Sequence, residues 1–499
     1  MNCLQFAKPI GSGDALYVRL YSKLEKAIRD GEFPPGSKLP PERQLAEQLQ
    51  LSRTTVTSAY RELEAKGLVR GYVGRGTYVC ALPEPADTPF AWRGKMSSIS
   101  LRLSASPGRM AIRSADPRVI SFALGCPAVE LFPVEEFRQI QSAILNTRAA
   151  EAFGPCAVEG QPALRKAIAR EHGVREQQVL VTAGSQQGID LMARCLIDPG
   201  DRVIVERPGY SIAFQTFRAA GARLIGWDAL RSDVDELEEL VLRYQPKFIF
   251  TTPSFQNPTG RILSLRQRRD LLELAVRYRI PVVEDEPYCD LYFDAPPPPS
   301  LASLDGRGVV IHLRTYSKVL APGLRLGYVI APESVVELLA LAKERATICT
   351  AGLEQLAVAE MLESGLLAQH TKRLRQEHKQ RRDAMVSALR GAIPGDKMRF
   401  SVPTGGLYLW CELLRGPSSS ELYGAALKRG VALSPGDLFY PDFAGERQIR
   451  LCFAGSSTTR IREGVERLRS VLADIFQNSE GNRRAETFAA QPIAAAAAG

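Results

Sequence analysis

The sequence has little of what metal sites and disulfide frameworks require. Its 499 residues include only four histidines, and the nine cysteines are scattered singly, without a C-x-x-C pair. Structural zinc sites need four Cys or His ligands at short spacings, so we expect no metal site. Because the cysteines are unpaired along the chain, we expect reduced thiols rather than disulfides.

Long hydrophobic runs are also absent. No apolar stretch approaches the roughly 20 residues that a membrane-spanning helix needs, so we expect no membrane partner. The N-terminal stretch MNCLQFAKPIGSGDALYVRLYSK has no basic start followed by an apolar block, and we expect no signal peptide. With 45% hydrophobic and 24% charged residues, the composition is typical of a globular protein, which we expect in the cytoplasm.

Composition divides the chain into four parts. Residues 1–81 are compact and rich in charged helical patterns, and the proline-rich stretch that follows predicts a linker over 82–114. Residues 115–477 alternate short β-branched runs with longer helical patterns, which predicts an α/β domain with a mostly parallel sheet. Residues 478–499 are low in complexity, and we expect this tail to be disordered.

The N-terminal part contains two helical patterns separated by a short turn. They are PERQLAEQLQ and LSRTTVTSAYRELEAKGLV, and Ser52 is a good N-cap for the second. This spacing predicts a helix-turn-helix whose second helix presents Arg53, Thr54 and Thr55 to DNA bases. The stretch VRGYVGRGTYVC predicts a hairpin wing with Arg75 at its tip. From periodicity alone, a small helical packing domain remains an open alternative.

Residues 14–80 are similar to the winged helix-turn-helix head of the GntR family. The similarity is carried by GSKLPPERQLAEQLQLSRTTVTSAYRELEAKGLV and by the wing GRGTYV. It implies that this head binds DNA. The DNA contacts that it implies are Arg43, Arg53, Thr54, Thr55 and Arg75. Pro41 stands where the family usually has a small hydroxyl residue, which puts one helix cap in doubt.

Four motifs in the large part each follow or end an expected strand. They are TAGSQQGID (182–190), SFQNPTGR (254–261), VVEDEPYCD (282–290) and TYSKVLAPGLRLG (315–327). Ligands of parallel α/β sheets gather at the carboxyl ends of the strands. We therefore expect the four motifs to converge on one cleft.

The residue types in these motifs suit pyridoxal phosphate. A desolvated Lys318 can form a Schiff base with the aldehyde, and Asp285 can keep the pyridine nitrogen protonated. Arg325 and nearby hydroxyls can neutralise the phosphate, as can the helix start at Ser185. Each motif alone has a plainer alternative, because a lysine before an apolar run is usually a surface side chain. All four motifs together, each at the end of an expected strand, are hard to explain by structural roles alone.

Residues 115–475 resemble the class I/II aminotransferases of fold-type I, whose motifs ERPGY, NPTG, DEPY and TYSKVLAPGLRLGY occur here in the family's order. The resemblance implies a mostly parallel central sheet, a smaller C-terminal α+β part and pyridoxal 5'-phosphate as cofactor. The implied catalytic residues are Lys318, Asp285 and Tyr288. The implied cofactor contacts are Lys318, Asp285, Tyr288, Asn257, Tyr210, Ser185, Gln186, Thr315 and Arg325. The implied substrate or effector contacts are Arg450 in QIRLCFA and Gly125 in FALGCP.

Three features fit the resemblance less well. Phe153, in FGPCAVEGQPALR, stands where the family often has a tyrosine that reaches the neighbouring subunit's cofactor. Arg207 is either a second anion contact or an exposed side chain. The basic stretch KRLRQEHKQRRD (372–383) is either a second DNA patch or the solvated face of a helix.

A GntR-type head joined to an aminotransferase-type domain is the plan of the MocR/GabR subfamily of bacterial regulators. That resemblance implies a homodimer that binds DNA, associates with the nucleoid when bound, and senses an amino acid, an amine or the cofactor itself. Two alternatives stay open. One is an active amino acid/2-oxo acid aminotransferase with an accessory head, and the other is a DNA-binding scaffold with an empty pocket.

Overall fold

The computed structural model describes residues 15–30, 32–72, 76–80, 95–104, 116, 118–228, 231 and 233–489. The chain forms two compact units that divide between Lys95 and Met96. No helix in the described ranges is long and apolar enough to cross a membrane.

The N-terminal unit contains three helices and a two-stranded hairpin. Their bounds are α1 Leu16–Arg29, α2 Glu42–Leu49, α3 Arg53–Ala65, β1 Val69–Tyr72 and β2 Gly76–Val79. The hairpin is antiparallel and pairs Val69 with Val79. The buried faces of the helices form one core, in which Leu24, Val56 and Leu63 are fully buried.

The turn between α2 and α3 explains how the two helices meet. It begins at Gln50, which adopts a left-handed conformation with φ 53° and so ends α2. The Ser52 hydroxyl accepts a hydrogen bond from the Thr55 amide at 3.1 Å, which caps α3. Pro41 precedes α2 and provides no side-chain cap. These features confirm the winged helix-turn-helix fold.

The second unit alternates helices and strands over most of its length. Its helices are α4 Ser98–Ser104, α5 Val134–Thr147, α6 Ala149–Phe153, α7 Pro162–His172, α8 Ser185–Leu196, α9 Ser211–Ala220, α10 Val234–Tyr244, α11 Leu265–Tyr278, α12 Leu301–Leu304, α13 Glu333–Thr347, α14 Gly352–Glu363, α15 Leu366–Ala392, α16 Ser419–Lys428 and α17 Thr458–Ala489. Its strands are β3 Ile120–Ser121, β4 Val179–Thr182, β5 Arg202–Arg207, β6 Arg223–Asp228, β7 Ile249–Thr251, β8 Val282–Asp285, β9 Val310–Thr315, β10 Gly327–Ile330, β11 Met398–Phe400, β12 Tyr408–Leu413, β13 Val431–Ala432, β14 Ser434–Pro435 and β15 Gln448–Cys452.

A seven-stranded sheet forms the centre of this unit, in the order β4-β10-β9-β8-β7-β5-β6. Only β10 runs against its neighbours, so the other six strands share one direction. These strands are almost continuously buried, as expected when helices cover both faces of a parallel sheet. The sequence-based prediction of a mostly parallel central sheet is confirmed.

The C-terminal part of the unit is smaller and mixed. A four-stranded sheet in the order β11-β12-β15-β14 is antiparallel throughout. The long helices α15 and α17 pack against each other. Helix α17 continues to Ala489, into the segment for which the composition predicts disorder, while residues 490–499 lie outside the described ranges.

Among its described residues, 95–104, the stretch predicted as a linker contains the helix α4. Arg102 on α4 donates a hydrogen bond from Nε to the carbonyl oxygen of Ala219 on α9 at 2.9 Å. This helix is therefore attached to the large unit, and the boundary between the two units lies before it.

The basic stretch 372–383 is only partly a solvated helix face, on which Lys372 and Arg373 are exposed. It lies within α15, where Arg381 and Arg382 are buried and donate to the backbone oxygens of Ala454 and Pro403. Arg375 stacks on the Tyr292 ring, with its guanidinium 3.6 Å from the ring centroid. Much of the positive charge is thus used in packing α15 within the unit, because these guanidinium groups need partners when they leave water.

Candidate functional site

A cavity of about 810 Å³ opens in the large unit. Its lining includes eight of the side chains and backbone positions expected at the site: Gly125, Ser185, Tyr210, Asn257, Asp285, Tyr288, Lys318 and Arg450. The remaining three candidates, Gln186, Thr315 and Arg325, lie beside the lining residues rather than among them. Residues separated by more than 300 positions thus meet in one cleft.

The parallel strands explain this convergence. Strands β4, β5, β7, β8 and β9 end at or just before the predicted motifs, and they all point the same way. Asp285 is the last residue of β8, and Lys318 follows the end of β9 by three residues. The site therefore lies where parallel α/β sheets ordinarily bind ligands.

Lys318 donates a hydrogen bond from Nζ to the carbonyl oxygen of Gly125 at 2.7 Å. Burial lowers the pKa of Lys318, because the charged ammonium loses its hydration. A lysine with a lowered pKa spends more time as the neutral amine, which is the nucleophilic form.

Asp285 is 3% exposed, and its Oδ1 has no hydrogen-bond partner among the described residues. Burial raises the pKa of Asp285 to about 7, although the nearby Lys318 favours its ionised form. A buried, unpaired carboxylate is costly, so the site is built for a cationic or hydrogen-bonding partner. The protonated ring nitrogen of pyridoxal phosphate is such a partner.

The start of α8 forms a place for an anion. Gly184 precedes the helix with φ 84°, and no side chain caps it, so the first amide groups of the helix are available. A Cβ at Gly184 would lie 2.9 Å from Nη2 of Arg325, so the glycine allows the guanidinium to approach. Arg325 Nη2 donates to the Ala183 carbonyl oxygen at 2.9 Å. The residues present fit the phosphate of the cofactor.

Gln186 and Thr315 are engaged locally. The Gln186 Oε1 accepts a weak hydrogen bond from the Tyr210 hydroxyl at 3.4 Å. The Thr315 hydroxyl donates to Leu326 O at 3.2 Å and accepts from the Ser317 amide at 3.2 Å. Thr315 thus holds the loop that follows β9. Gln186 contacts Tyr210, the aromatic residue expected to cover the cofactor ring.

Arg450 lies on β15 and is 5% exposed. Its Nη1 donates to Asn257 Oδ1 at 2.8 Å, and its Nη2 donates to Ala123 O at 2.6 Å. The guanidinium lies 4.2 Å from the ring centroid of Tyr408 and 4.8 Å from that of Phe439, which fix its plane. Nε is buried and has no hydrogen-bond partner in the described part of the chain.

Sequence reasoning missed Tyr408. Its hydroxyl lies 3.0 Å from that of Tyr288 and lines the cavity. A Cβ at Gly125 would lie only 1.9 Å from the Tyr408 hydroxyl, so a glycine is required there. The motif GGLYLW could have pointed to this region, because two glycines before a strand indicate a close approach of the backbone to another group.

A buried network holds two cavity loops together. Glu206 accepts hydrogen bonds from the Thr251 hydroxyl at 2.6 Å and from Gln256 Nε2 at 3.0 Å, and burial raises its pKa. Gln256 Nε2 also donates to Pro208 O at 2.7 Å. The loop that carries Tyr210 and the turn that carries Asn257 are therefore fixed relative to each other.

The structure shows the surroundings of Arg207 and Phe153, the two single residues that fit the family resemblance less well. Arg207 donates to Asp442 from Nε at 3.0 Å and from Nη2 at 2.8 Å, and its guanidinium lies over the Tyr440 ring. This pairing leaves Arg207 no role as a second anion contact in the cavity. Phe153, at the end of α6, is 73% exposed within the single chain.

Four of the five candidate DNA contacts lie on α2 and α3. Arg53 and Thr54 are exposed at the start of α3, where a recognition helix contacts bases. The Thr55 hydroxyl lies 2.7 Å from that of Ser52 and helps cap the helix. Arg43 pairs with Glu47 one turn on in α2, and both side chains are largely exposed. Arg75 lies outside the described residues.

The fold and this site define a fold-type I aminotransferase domain, preceded by a winged helix-turn-helix head. Residues 119–468 match the model of aminotransferase class I and II, and residues 16–79 match that of bacterial regulatory proteins of the gntR family. The chain belongs to the aminotransferase class I and II family and, with its head, to the MocR/GabR subfamily. Pyridoxal 5'-phosphate is the cofactor that this domain and its structural neighbours indicate.

Curated relatives fall into two groups. The chain is 37% identical over 394 residues to the 2-aminoadipate transaminase of Thermus thermophilus, covering 78% of this chain and 99% of the relative. It is 31% identical over 468 residues to the probable rhizopine catabolism regulatory protein MocR of Rhizobium meliloti, covering 92% and 94%. The first similarity covers about four fifths of the chain, whereas the second covers enough of it to include both units.

The solved structures that resemble the large unit include LysN, an alpha-aminoadipate aminotransferase of Thermus thermophilus, complexed with N-(5'-phosphopyridoxyl)-L-leucine. The TM-score is 0.74 at 36% identity, and the match covers 78% of this chain and 99% of LysN.

Proposed function

We propose that this protein is a transcriptional regulator that binds DNA through its head and senses an amino acid through its cofactor site. The observation that carries the proposal is the presence of both parts in one chain. A recognition helix with an exposed Arg53 precedes a domain in which Lys318, Asp285 and Arg450 line one cavity. A chain with this plan acts in the cytoplasm as a homodimer on its own operator.

When bound, pyridoxal phosphate supplies an electrophilic aldehyde and an electron-withdrawing ring to the site. Lys318 would provide the amine for that aldehyde, and burial lowers its pKa, which favours the neutral, nucleophilic form. Asp285 would stabilise the protonated ring nitrogen of the bound cofactor. Asn257 and Tyr288 would hold its ring oxygen, and Tyr210 would contact the ring.

The phosphate is held at the start of α8. Ser185 and Gln186 present backbone amides there, and Arg325 supplies a guanidinium. Thr315 holds the loop that carries Lys318 through its bonds to Ser317 and Leu326. These residues orient the cofactor and exclude water, so that a ligand amine meets the reactive carbon in one pose.

The ligand is an α-amino acid with a neutral side chain. Arg450 binds its carboxylate through the guanidinium group, and Gly125 provides room beside it. Lys318, Asp285 and Arg450 are the charged residues of the described cavity lining, and each already has a role. The rest of the wall mixes apolar residues such as Ile212 and Leu438 with the uncharged polar Gln215, which suits a neutral ligand side chain better than a charged one.

Regulation requires that the ligand bind two states of the protein differently. A gel-shift experiment on the gene's own upstream region tests this requirement. We expect wild type to shift the DNA, a neutral amino acid to change the apparent affinity, and Arg53→Ala to weaken the shift. If wild type gives no shift, or if Arg53→Ala shifts the DNA unchanged, the protein is not a DNA-binding regulator of this kind.

A working aminotransferase is the second candidate function, favoured by the complete set of groups around Lys318. Stopped-flow spectra with an amino-acid panel distinguish it from a sensor. Turnover requires that an amino acid convert the cofactor to its aminated form and that a 2-oxo acid reverse the change. If no pair of substrates completes this cycle, the enzyme hypothesis is rejected, whereas the regulator is unaffected.

The third hypothesis, a scaffold with an empty pocket, predicts no cofactor at all. A visible absorbance band that is lost on borohydride treatment and absent from Lys318→Ala would reject it. Lys343→Ala is not a suitable control, because Lys343 is buried and holds two backbone oxygens. Lys372, which is exposed on α15, gives the matched control, and Lys372→Ala should keep the band.

A further inference from the structure

A second cavity of about 400 Å³ lies in the large unit between α7, α15 and the end of β9. It shares two chain segments with the cofactor cavity. Tyr316 and Val319 line the second cavity, whereas Lys318 lines the first. Likewise Asp290 lines the second cavity and Tyr288 lines the first. Thr315, an expected cofactor contact, also lines the second cavity and not the first, so a ligand there would touch the chain next to Lys318 from outside the cofactor cavity.

The charges that face this cavity favour an anion. They are Arg170, Glu171, Asp290, Arg314 and Arg375. Arg314 forms an ion pair with Asp290, and Arg375 donates from Nε to Asp290 O at 2.6 Å. Arg170 is exposed and forms no ion pair with the described residues. Three guanidinium groups against two carboxylates leave a net positive charge, and guanidinium groups bind carboxylates well.

Tyr316 supplies a second observation that points to a ligand. This side chain lines the cavity and is 4% exposed, yet its hydroxyl has no hydrogen-bond partner in the described part of the chain. The neighbouring Tyr328 hydroxyl, by contrast, lies 2.8 Å from His172 Nε2. Buried hydroxyl groups normally have a partner, so the Tyr316 hydroxyl marks a position for a ligand or water oxygen.

The rest of the wall is apolar and limits the size of the ligand. Leu362, Leu367 and Val319 line one part of the cavity. A carboxylate near Arg170 and Tyr316 would place a short hydrocarbon body against these side chains. We propose that this cavity is a second ligand site, separate from the cofactor site, which binds a small monocarboxylate with a short apolar body.

Isobutyrate is a suitable probe, and isobutyramide is its uncharged counterpart. Binding of both to the full-length holoprotein can be followed by ligand-observed NMR and calorimetry. We expect isobutyrate to bind wild type and isobutyramide to bind much more weakly. Tyr316→Phe keeps the ring and removes one hydrogen bond to a charged group, so affinity should fall about tenfold. Tyr278→Phe, whose hydroxyl bonds Glu238 elsewhere, should bind as wild type does.

A second variant separates this site from Arg450 in the first cavity, which also prefers carboxylates. Ala368 lies exposed on α15 and lines the second cavity, so Ala368→Phe should block it without disturbing the core. We expect Ala368→Phe to lose isobutyrate binding while its cofactor absorbance stays unchanged. The proposal is overturned if wild type does not bind isobutyrate, or if Ala368→Phe binds it as wild type does.

Discussion

The amine of Lys318 donates a hydrogen bond of 2.7 Å to the carbonyl oxygen of Gly125. This bond joins the lysine motif to the FALGCP motif, 193 positions earlier in the chain. It places the proposed cofactor lysine beside the backbone position proposed for the ligand. The close packing of Tyr408 on Gly125 makes this junction sensitive to a single added carbon.

Gly125→Ala should impair the site, because the new Cβ would lie 1.9 Å from the Tyr408 hydroxyl. We expect weaker cofactor binding, measured by titration of the visible absorbance with pyridoxal phosphate. The double variant Gly125→Ala/Tyr408→Phe removes that hydroxyl and should regain part of the affinity. Gly424→Ala on α16, where a Cβ has nothing within 4 Å, is the control. Wild-type affinity in Gly125→Ala would show that the junction is more adaptable than this packing implies.

Arg450→Lys should separate cofactor binding from ligand recognition. Lysine keeps the positive charge but loses the planar fork that can bind a carboxylate in a bidentate manner. We expect an unchanged cofactor band and a response to amino acids that is weaker by about tenfold or more. The measurement is the spectral change during amino-acid titration. A wild-type response in Arg450→Lys would remove the proposed role of Arg450.

Asp285→Asn should stabilise the cofactor-free protein at high pH. Burial raises the pKa of Asp285 from 3.8 to about 7, so the folded protein keeps a proton that the unfolded chain releases between these values. This carboxyl therefore costs stability as pH rises from about 4 to 7. The neutral amide avoids the cost, and we expect a gain of about 1–3 kcal/mol at pH 8.

Urea denaturation of the two cofactor-free proteins at pH 4 and at pH 8 measures this difference. The gain should vanish near pH 4, where wild-type Asp285 is protonated in the folded state. Equal free energies of unfolding at pH 8 would show that Asp285 is not destabilising in the free site. Asp285→Asn should also weaken cofactor binding, because an amide cannot hold the ring nitrogen in its protonated form as a carboxylate does.

Much of the cofactor site was predictable because parallel strands place their carboxyl ends together. Lys318, Asp285 and Asn257 each follow a recognisable buried strand, and the structure brings all three into one cavity. The fold of the head was equally predictable, because Ser52 caps α3 and the apolar residues of that helix are regularly spaced. Patterns that extend over only a few residues thus predict functional residues well when those residues lie at the end of a strand or helix.

Contacts between residues that are far apart in the chain could not be predicted from such local patterns. Tyr408 meets Tyr288 across 120 positions, and Arg207 pairs with Asp442 across 235, so neither partner is marked by spacing. The basic stretch in α15 was only partly predicted for the same reason, since the carbonyl oxygens that bind Arg381 and Arg382 lie elsewhere in the chain. Residue type alone does not distinguish a solvated arginine from one that packs a helix.

Arg53→Ala should weaken DNA binding, whereas Arg61→Ala should have little effect. Both arginines are exposed on α3, but Arg53 begins the helix and Arg61 lies two turns further on. If Arg53 contacts a phosphate, its loss should also reduce the salt dependence of binding by about one unit of the log–log slope. Fluorescence anisotropy at several salt concentrations gives both quantities. Equal losses in the two variants would place the DNA on another face.

The central claim is that the cofactor cavity controls the DNA-binding head, and one titration tests it most directly. Operator DNA from the gene's own upstream region is titrated with the holoprotein, with and without a panel of neutral and acidic amino acids. We predict that a neutral amino acid changes the apparent Kd for DNA in wild type and leaves it unchanged in Arg450→Lys. An identical Kd with and without every amino acid, in a protein that binds both DNA and cofactor, would contradict the account.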